Sequence, residues 1–171
     1  VLPRIRRVLP DVRLTVVGRN PFPRLVQLSR QDSAITVTGR VDDVRPYMER
    51  AGAYIVPIRI GGGTRLKVYE AMAMEMPVVS TRIGAEGLPV LEGQHLLFAD
   101  SPGDFASAVI RVLTDARLAG ALGAQAAATV RERFGWGNVA TKFSLICHNA
   151  LQEFEQKHGK AVSSQRRDAI A

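Results

Sequence analysis

The run Ile58-Arg59-Ile60-Gly61-Gly62-Gly63-Thr64-Arg65-Leu66-Lys67-Val68-Tyr69-Glu70-Ala71-Met72-Ala73-Met74-Glu75-Met76-Pro77-Val78-Val79-Ser80 sets three glycines between an apolar strand and a helix. Consecutive glycines are costly to order, so the run predicts backbone placed close against something. The helix is expected to begin at or near Thr64, with Arg65 and Lys67 in its first turn and its unpaired amides directed back into the glycine loop. That is an anion site in outline. Glu70, three residues beyond Lys67, falls on a neighbouring part of the helix surface, where a carboxylate can accept from sugar hydroxyls. Phosphate donors beside a hydroxyl acceptor suggest a nucleotide or a sugar phosphate.

Outward from this run, short β-branched stretches alternate with amphipathic ones. Val12 to Val17, Ile35 to Thr38, Ala53 to Pro57, Pro77 to Ser80 and Leu96 to Phe98 read as strands. Val1 to Leu9, Leu25 to Ser29, Val44 to Ala51 and Arg65 to Met74 read as helices, the third capped by Asp42-Asp43, and from Ser101-Pro102 the chain reads as helical to about Glu155. The alternation predicts an α/β fold with a parallel sheet covered on both faces, in which ligands collect at the carboxyl ends of the strands. Gly18-Arg19-Asn20, Gly39-Arg40-Val41, Arg59 to Thr64 and Arg82 to Gly87 would then line one rim. The chain opens on a helix where a doubly wound sheet opens on a strand. In the 3-2-1-4-5-6 order that strand is central, between Val12 to Val17 and Ala53 to Val56, and without it two edges are unpaired. The expectation is a truncated chain, or a gap closed by rearrangement or by another chain.

Composition narrows the classes. The 171 residues fit one domain, and 46% hydrophobic content with a mean hydropathy of +0.02 suits a globular core. No stretch approaches the roughly 20 apolar residues of a membrane span, and Val1 to Pro10 is too basic for a signal peptide. The chain as given is expected to be cytoplasmic. Of the formal charge of +7, the segment Lys157 to Ala171 holds +3, which leaves +4 for residues 1–156. The division expected is therefore one ligand-binding domain, 1–156, and a basic flexible tail, 157–171, for which a solvated state outweighs contact with anionic lipid. Neither part has the dense basic helix or aromatic ladder of a nucleic-acid module. Cys147 reads as packing, and His95, His148 and His158 are too scattered for a zinc site. The glycines lead to Thr64-Arg65-Leu66-Lys67 rather than Gly-Lys-Ser/Thr, so a P-loop is excluded. Neither Gly18 nor Gly39 opens a Gly-x-Gly-x-x-Gly fingerprint, which argues against NAD.

The segments Gly61 to Ala73, Pro77 to Ser80, Gly84 to Gly87 and Gly93 to Asp100 carry a resemblance. With Val37 to Val41, Arg133-Phe134-Gly135-Trp136 and the long last helix, they resemble the C-terminal, nucleotide-sugar-binding domain of GT-B glycosyltransferases, in particular the retaining group called family 4 (glycosyl transferases group 1). The resemblance implies a Rossmann-like doubly wound sheet and metal-independent transfer of a hexose from a UDP- or GDP-type sugar to a glycan or lipid-linked acceptor, with no separate cofactor. It implies that Glu70 bonds the ribose hydroxyls. The glycine-rich run Gly61, Gly62, Gly63, Thr64, Arg65, Leu66 and Lys67 would hold the diphosphate or the sugar. Gly39, Arg40 and Val41 would meet the base through backbone, with Gly18 and Arg19 at the border of the nucleotide. The family pattern has a glutamate where this chain has Gly62, and no catalytic residue is assigned. Solvated-helix roles for Arg65 and Lys67, and plain surface roles for Arg19 and Arg40, stay open, whereas Ala71, Met72 and Ala73 read as helix packing. The resemblance also implies an acceptor-binding N-terminal domain and phosphate-binding Arg and Lys residues upstream, so the chain alone is expected not to turn over. Polysaccharide synthesis at the inner face of a membrane is the setting it implies. The rival reading is a non-catalytic nucleotide-binding or interaction module.

Overall fold

A computed structural model describes the backbone of residues 1–168 and the side chains of residues 1–157. Most of the basic tail expected at 157–171 has its side chains outside the described residues. Two compact units are distinguished, Val1–Val130 and Arg131–Ala171.

The first unit alternates helix and strand: α1 (Leu2–Arg6), β1 (Leu14–Val17), α2 (Pro23–Gln31), β2 (Ile35–Gly39), α3 (Arg45–Glu49), β3 (Tyr54–Val56), α4 (Leu66–Ala73), β4 (Val78–Ser80), a 3₁₀ turn (Ile83–Ala85), β5 (Leu97–Phe98), α5 (Pro102–Thr114) and most of α6 (Ala116–Phe134). All strand pairs are parallel. The fold is α/β, as the alternation predicts. Val78 and Val79 are both fully buried because β4 is covered on two faces. Val78 packs with Val68, Ala71 and Met72 of α4, whereas Val79 packs with Ile5 of α1 and Phe105, Val109 and Val112 of α5. Leu96 and Leu97 repeat this division around β5.

The strands form two sheets, β1-β2 and β3-β4-β5. Among the described residues β1 and β3 are not paired with each other, which leaves one free edge on each. No rearrangement within the described chain joins the two edges. α1 is tied to the β2 side through Asp32, whose carboxylate accepts from Arg6 Nη2 at 3.0 Å and from the Ala34 amide at 3.0 Å. The Arg6 guanidinium, and then the Ala34 amide, hold the Asp32 carboxyl below the usual carboxylate range. The N-cap of α3 is Val44, which makes no side-chain cap bond, and Asp43, one residue before it, accepts from the Arg45 amide at 2.9 Å. Ser101 caps α5 by accepting from Asp104 N–H at 3.1 Å, with Pro at the start of the helix.

α4 ends in a Schellman motif: Met76 N–H donates to Ala71 O and Glu75 N–H to Met72 O, each at 3.0 Å. Glu75 occupies the left-handed position, φ 59°, where glycine is the usual residue. Glu75→Gly is therefore expected to be more stable than Glu75→Ala by about 0.5–1 kcal/mol, because both lose the glutamate side chain and only alanine keeps the left-handed strain of a Cβ, offset in part by the entropy that glycine adds to the unfolded chain. Urea denaturation of the two variants measures it, and equal stability would refute the strain.

His95 is a buried polar staple. Leu91 N–H donates to Nδ1 at 2.9 Å, so the ring proton lies on Nε2, 3.0 Å from Thr129 Oγ1. The bond fastens the loop before β5 to α6.

The second unit contains α7 (Trp136–Asp168), which continues past the expected end near Glu155. Trp136, Val139, Phe143, Ile146 and Phe154 recur on it at three- to eight-residue spacing and are exposed, as is Cys147, which sequence alone assigned to packing.

Candidate functional site

The carboxyl ends of the parallel strands carry the expected loops, on two separate rims. At the first, β1 and β2 run in register until Val17, which pairs with Gly39 and leaves Thr38 as an extra residue. The bulge brings the two loops together, with Gly18 N–H donating to Gly39 O at 3.1 Å. Arg19 and Arg40 are exposed beside this bond, and Val41 is half-buried.

The second rim follows β3 and β4. Gly61, Gly62, Gly63 and Thr64 are exposed, and Arg65 precedes the first residue of α4, so the helix starts at Leu66, two residues beyond Thr64. Gly61 has φ 147° and Gly63 φ 101°, values that favour glycine, whereas a side chain at Gly62 would enter open space. Two positions are thus glycine for backbone reasons and the middle one is not. Among the described residues, no group accepts from the amides of Gly62, Gly63 or Thr64.

Arg65 turns inward. Its side chain is only 8% exposed, and its Nη atoms donate to Gly61 O at 3.1 Å, Gly62 O at 3.2 Å and Ile83 O at 2.7 Å, with the exposed Glu86 carboxylate at 3.9 Å. Lys67 and Leu66 stay exposed on the first turn of α4. Glu70 lies about 6 Å farther along the helix axis than Leu66. It is exposed, and among the described residues no ion pair or side-chain hydrogen bond engages its carboxylate. Its charge does reach Tyr54 of β3, whose phenol is raised above its ordinary range first by burial and then by Glu70. Ala71 and Met72 are buried in the core, while Ala73 is exposed.

The loop after β4 is built as tightly as the glycine loop is open. Thr81 Oγ1 donates to Ile58 O and accepts from Gly84 N–H at 3.0 Å. Asp100 accepts from Arg82 N–H at 2.9 Å, and the Arg82 guanidinium lies 5.1 Å from the centroid of the Phe98 ring. The second rim therefore presents free backbone donors on a fixed frame, with an unengaged carboxylate one turn into the helix that follows, a set suited to an anion carrying hydroxyls.

The profile of the family described as Glycosyl transferases group 1 matches residues 1–115. The chain belongs to this family. A GDP-mannose-dependent alpha-(1-6)-phosphatidylinositol monomannoside mannosyltransferase of Mycolicibacterium smegmatis is 30% identical over 138 residues, covering 71% of this chain and 36% of the relative. Anabaena HepE in complex with UDP superposes with a TM-score of 0.73 at 16% identity, covering 86% of this chain and 44% of HepE. The C-terminal domain of a glycosyl transferase group 1 family protein from Francisella tularensis gives 0.64 at 19% identity, with 79% and 78% covered. These likenesses show the fold, that of a GT-B glycosyltransferase domain. The chain spans 30–36% of the length of the curated relatives it matches.

In this group 1 glycosyl transferase chain, the structure brings Gly18 beside Gly39, and Arg65 beside Gly61 and Gly62. Among the described residues no hydrogen bond or ion pair joins the first rim to the second. Sequence reasoning missed Thr81 and the Ile83 carbonyl, which fasten the glycine loop to the next loop. A hydroxyl directly after the buried run Val78-Val79-Ser80 was the one available signal for Thr81. Nothing in a side chain could announce a carbonyl.

Proposed function

We propose that the chain is the donor-binding, C-terminal half of a retaining family 4 glycosyltransferase, which moves a hexose from a nucleotide diphosphate sugar to a glycan or lipid-linked acceptor without a metal ion. The observation that carries this reading is the set of unengaged amides at Gly62, Gly63 and Thr64 just before α4, with an unengaged Glu70 one turn into that helix. The amides take the diphosphate or the sugar, and Glu70 takes the ribose. Gly39, Arg40 and Val41 meet the base, and Gly18 and Arg19 border the nucleotide. The names of the relatives support a donor of this kind, since the mycobacterial one is GDP-mannose-dependent and HepE holds UDP. An N-terminal domain would bind the acceptor and close the cleft. Without it the departing diphosphate stays in water, where each charge interaction is weaker, and the chain alone does not turn over.

No helix among the described residues is long and apolar enough to cross a membrane. We place the transferase in the cytoplasm, with any contact to the inner membrane face being peripheral, in the synthesis of a polysaccharide.

The test is a titration of the chain with UDP, GDP, UDP-glucose and GDP-mannose followed by amide NMR shifts. One nucleotide class is expected to bind, and Glu70→Ala is expected to weaken it by about ten- to a hundredfold, because a carboxylate bonded to hydroxyls is worth about 1.5–3 kcal/mol. A folded chain that binds none of the four would sink the proposal. The absence of a side chain at Gly62 favours a second reading, a non-catalytic nucleotide-binding or interaction module. Restoring the rest of the protein separates the two: nucleotide binding without transfer or donor hydrolysis would support the module.

A further inference from the structure

The glycine loop holds its shape through one buried cation. Arg65 meets three main-chain carbonyls, and its Nε atom is buried without a hydrogen-bond partner. An arginine serving as an anion ligand would present its guanidinium outward, where desolvation costs little. Here the guanidinium is withdrawn, and the carbonyl dipoles and the distant Glu86 carboxylate compensate its charge.

The peptide plane turns this into a directional device. In a trans peptide the C=O and the following N–H lie on opposite sides. The carbonyls of Gly61 and Gly62 point at Arg65, so the amides of Gly62 and Gly63 point away from it. The positive φ values at Gly61 and Gly63 turn the chain on either side of these two planes, which meet at Gly62. The third carbonyl, that of Ile83, fixes the guanidinium against the loop after β4. The result is a pair of adjacent outward amides on a braced frame, which is an anion-binding concavity.

We propose that Arg65 is a positioning residue that aims the Gly62 and Gly63 amides at the diphosphate of the donor and does not itself bind the phosphates. The proposal rests on the donor-site reading above. A planar fork is needed to reach three carbonyls, and a lysine, as a single point charge, cannot replace it.

The test uses the chain and its Arg65→Lys and Arg65→Ala variants, titrated with UDP or GDP, whichever binds, and with the matching nucleoside. Affinity is read as a function of salt, and the Gly62 and Gly63 amides are followed by NMR. Both variants are expected to lose about tenfold or more in diphosphate affinity, the loss of two charge-assisted hydrogen bonds, with nucleoside binding and the salt dependence of the residual binding unchanged. In the wild type the two amide resonances shift on adding diphosphate, and in Arg65→Lys they do not. Nucleoside binding that persists in Arg65→Lys shows that the variant is folded. If Arg65→Lys keeps the affinity, or if Arg65→Ala flattens the salt dependence as loss of a direct charge would, the positioning role is overturned and the donor site survives. If no nucleotide binds the wild type, the donor site falls and the positioning role falls with it.

Discussion

Replacing Gly123 with alanine is expected to cost the first unit about 3 kcal/mol, at or above the upper end of ordinary overpacking. A Cβ at Gly123 would lie 2.0 Å from the Glu75 carbonyl oxygen and 2.8 Å from its carbon. That carbonyl cannot swing aside, because Glu75 and Met76 are held by the Schellman bonds that close α4. Relief requires α6 to withdraw, and α6 carries Leu122, which packs in the cluster on the α5 face of the sheet, and Ala126, which packs in the cluster on the α4 face. Both layers of the core would loosen together. Gly120 is the control on the same helix: it is exposed, and a Cβ there meets nothing within 4 Å. Gly120→Ala should be neutral or stabilising by up to about 1 kcal/mol through helix propensity. Urea denaturation of the two variants decides the matter, and equal midpoints would refute the close approach of α6 to Glu75.

Gly84→Ala is expected to act on stability and on the site at once. Its Cβ would meet Ser80 Oγ at 2.5 Å, Val56 O at 2.8 Å and Val56 Cγ1 at 2.9 Å. The hydroxyl can rotate away, but the Val56 carbonyl is main chain and already accepts from Thr81 N–H at 3.1 Å. The 3₁₀ turn must therefore lift from β3. Lifting it strains the Gly84 amide bond to Thr81 Oγ1 and moves the Ile83 carbonyl away from Arg65. A cost of about 2 kcal/mol is expected. On the donor-site reading, diphosphate affinity falls as well. A variant with wild-type stability would show that the turn has slack.

What was legible in the sequence was whatever depends on side-chain pattern. Val78 and Val79, flanked by turn signals, announced a strand buried on both faces, and the alternation of β-branched and amphipathic stretches announced parallel pairing. The glycine run announced an open loop before a helix. The direction of Arg65 was not legible, because it is set by carbonyls, one of them eighteen residues away, and main-chain acceptors leave no mark on residue type. Glu75 was silent in another way: the helix reading stopped just before it, at Met74, but nothing in a glutamate shows a backbone position that glycine usually fills. The division into β1-β2 and β3-β4-β5 is set by which strands pair, and residue type marks a strand without naming its neighbour. The separation of the site residues into two rims follows from that split and could not be read from any loop alone.

The contact from Arg65 to the Ile83 carbonyl also bears on how such a site is detected by mutation. Every amino acid supplies a carbonyl, and the Ile83 side chain is partly exposed, so a scan through position 83 would return tolerance at nearly every substitution. The acceptor that braces the loop would be silent in such a data set. It would surface only at neighbours that move the main chain, above all Gly84. A position can thus hold a binding loop in place and still carry almost no information in the identity of its residue.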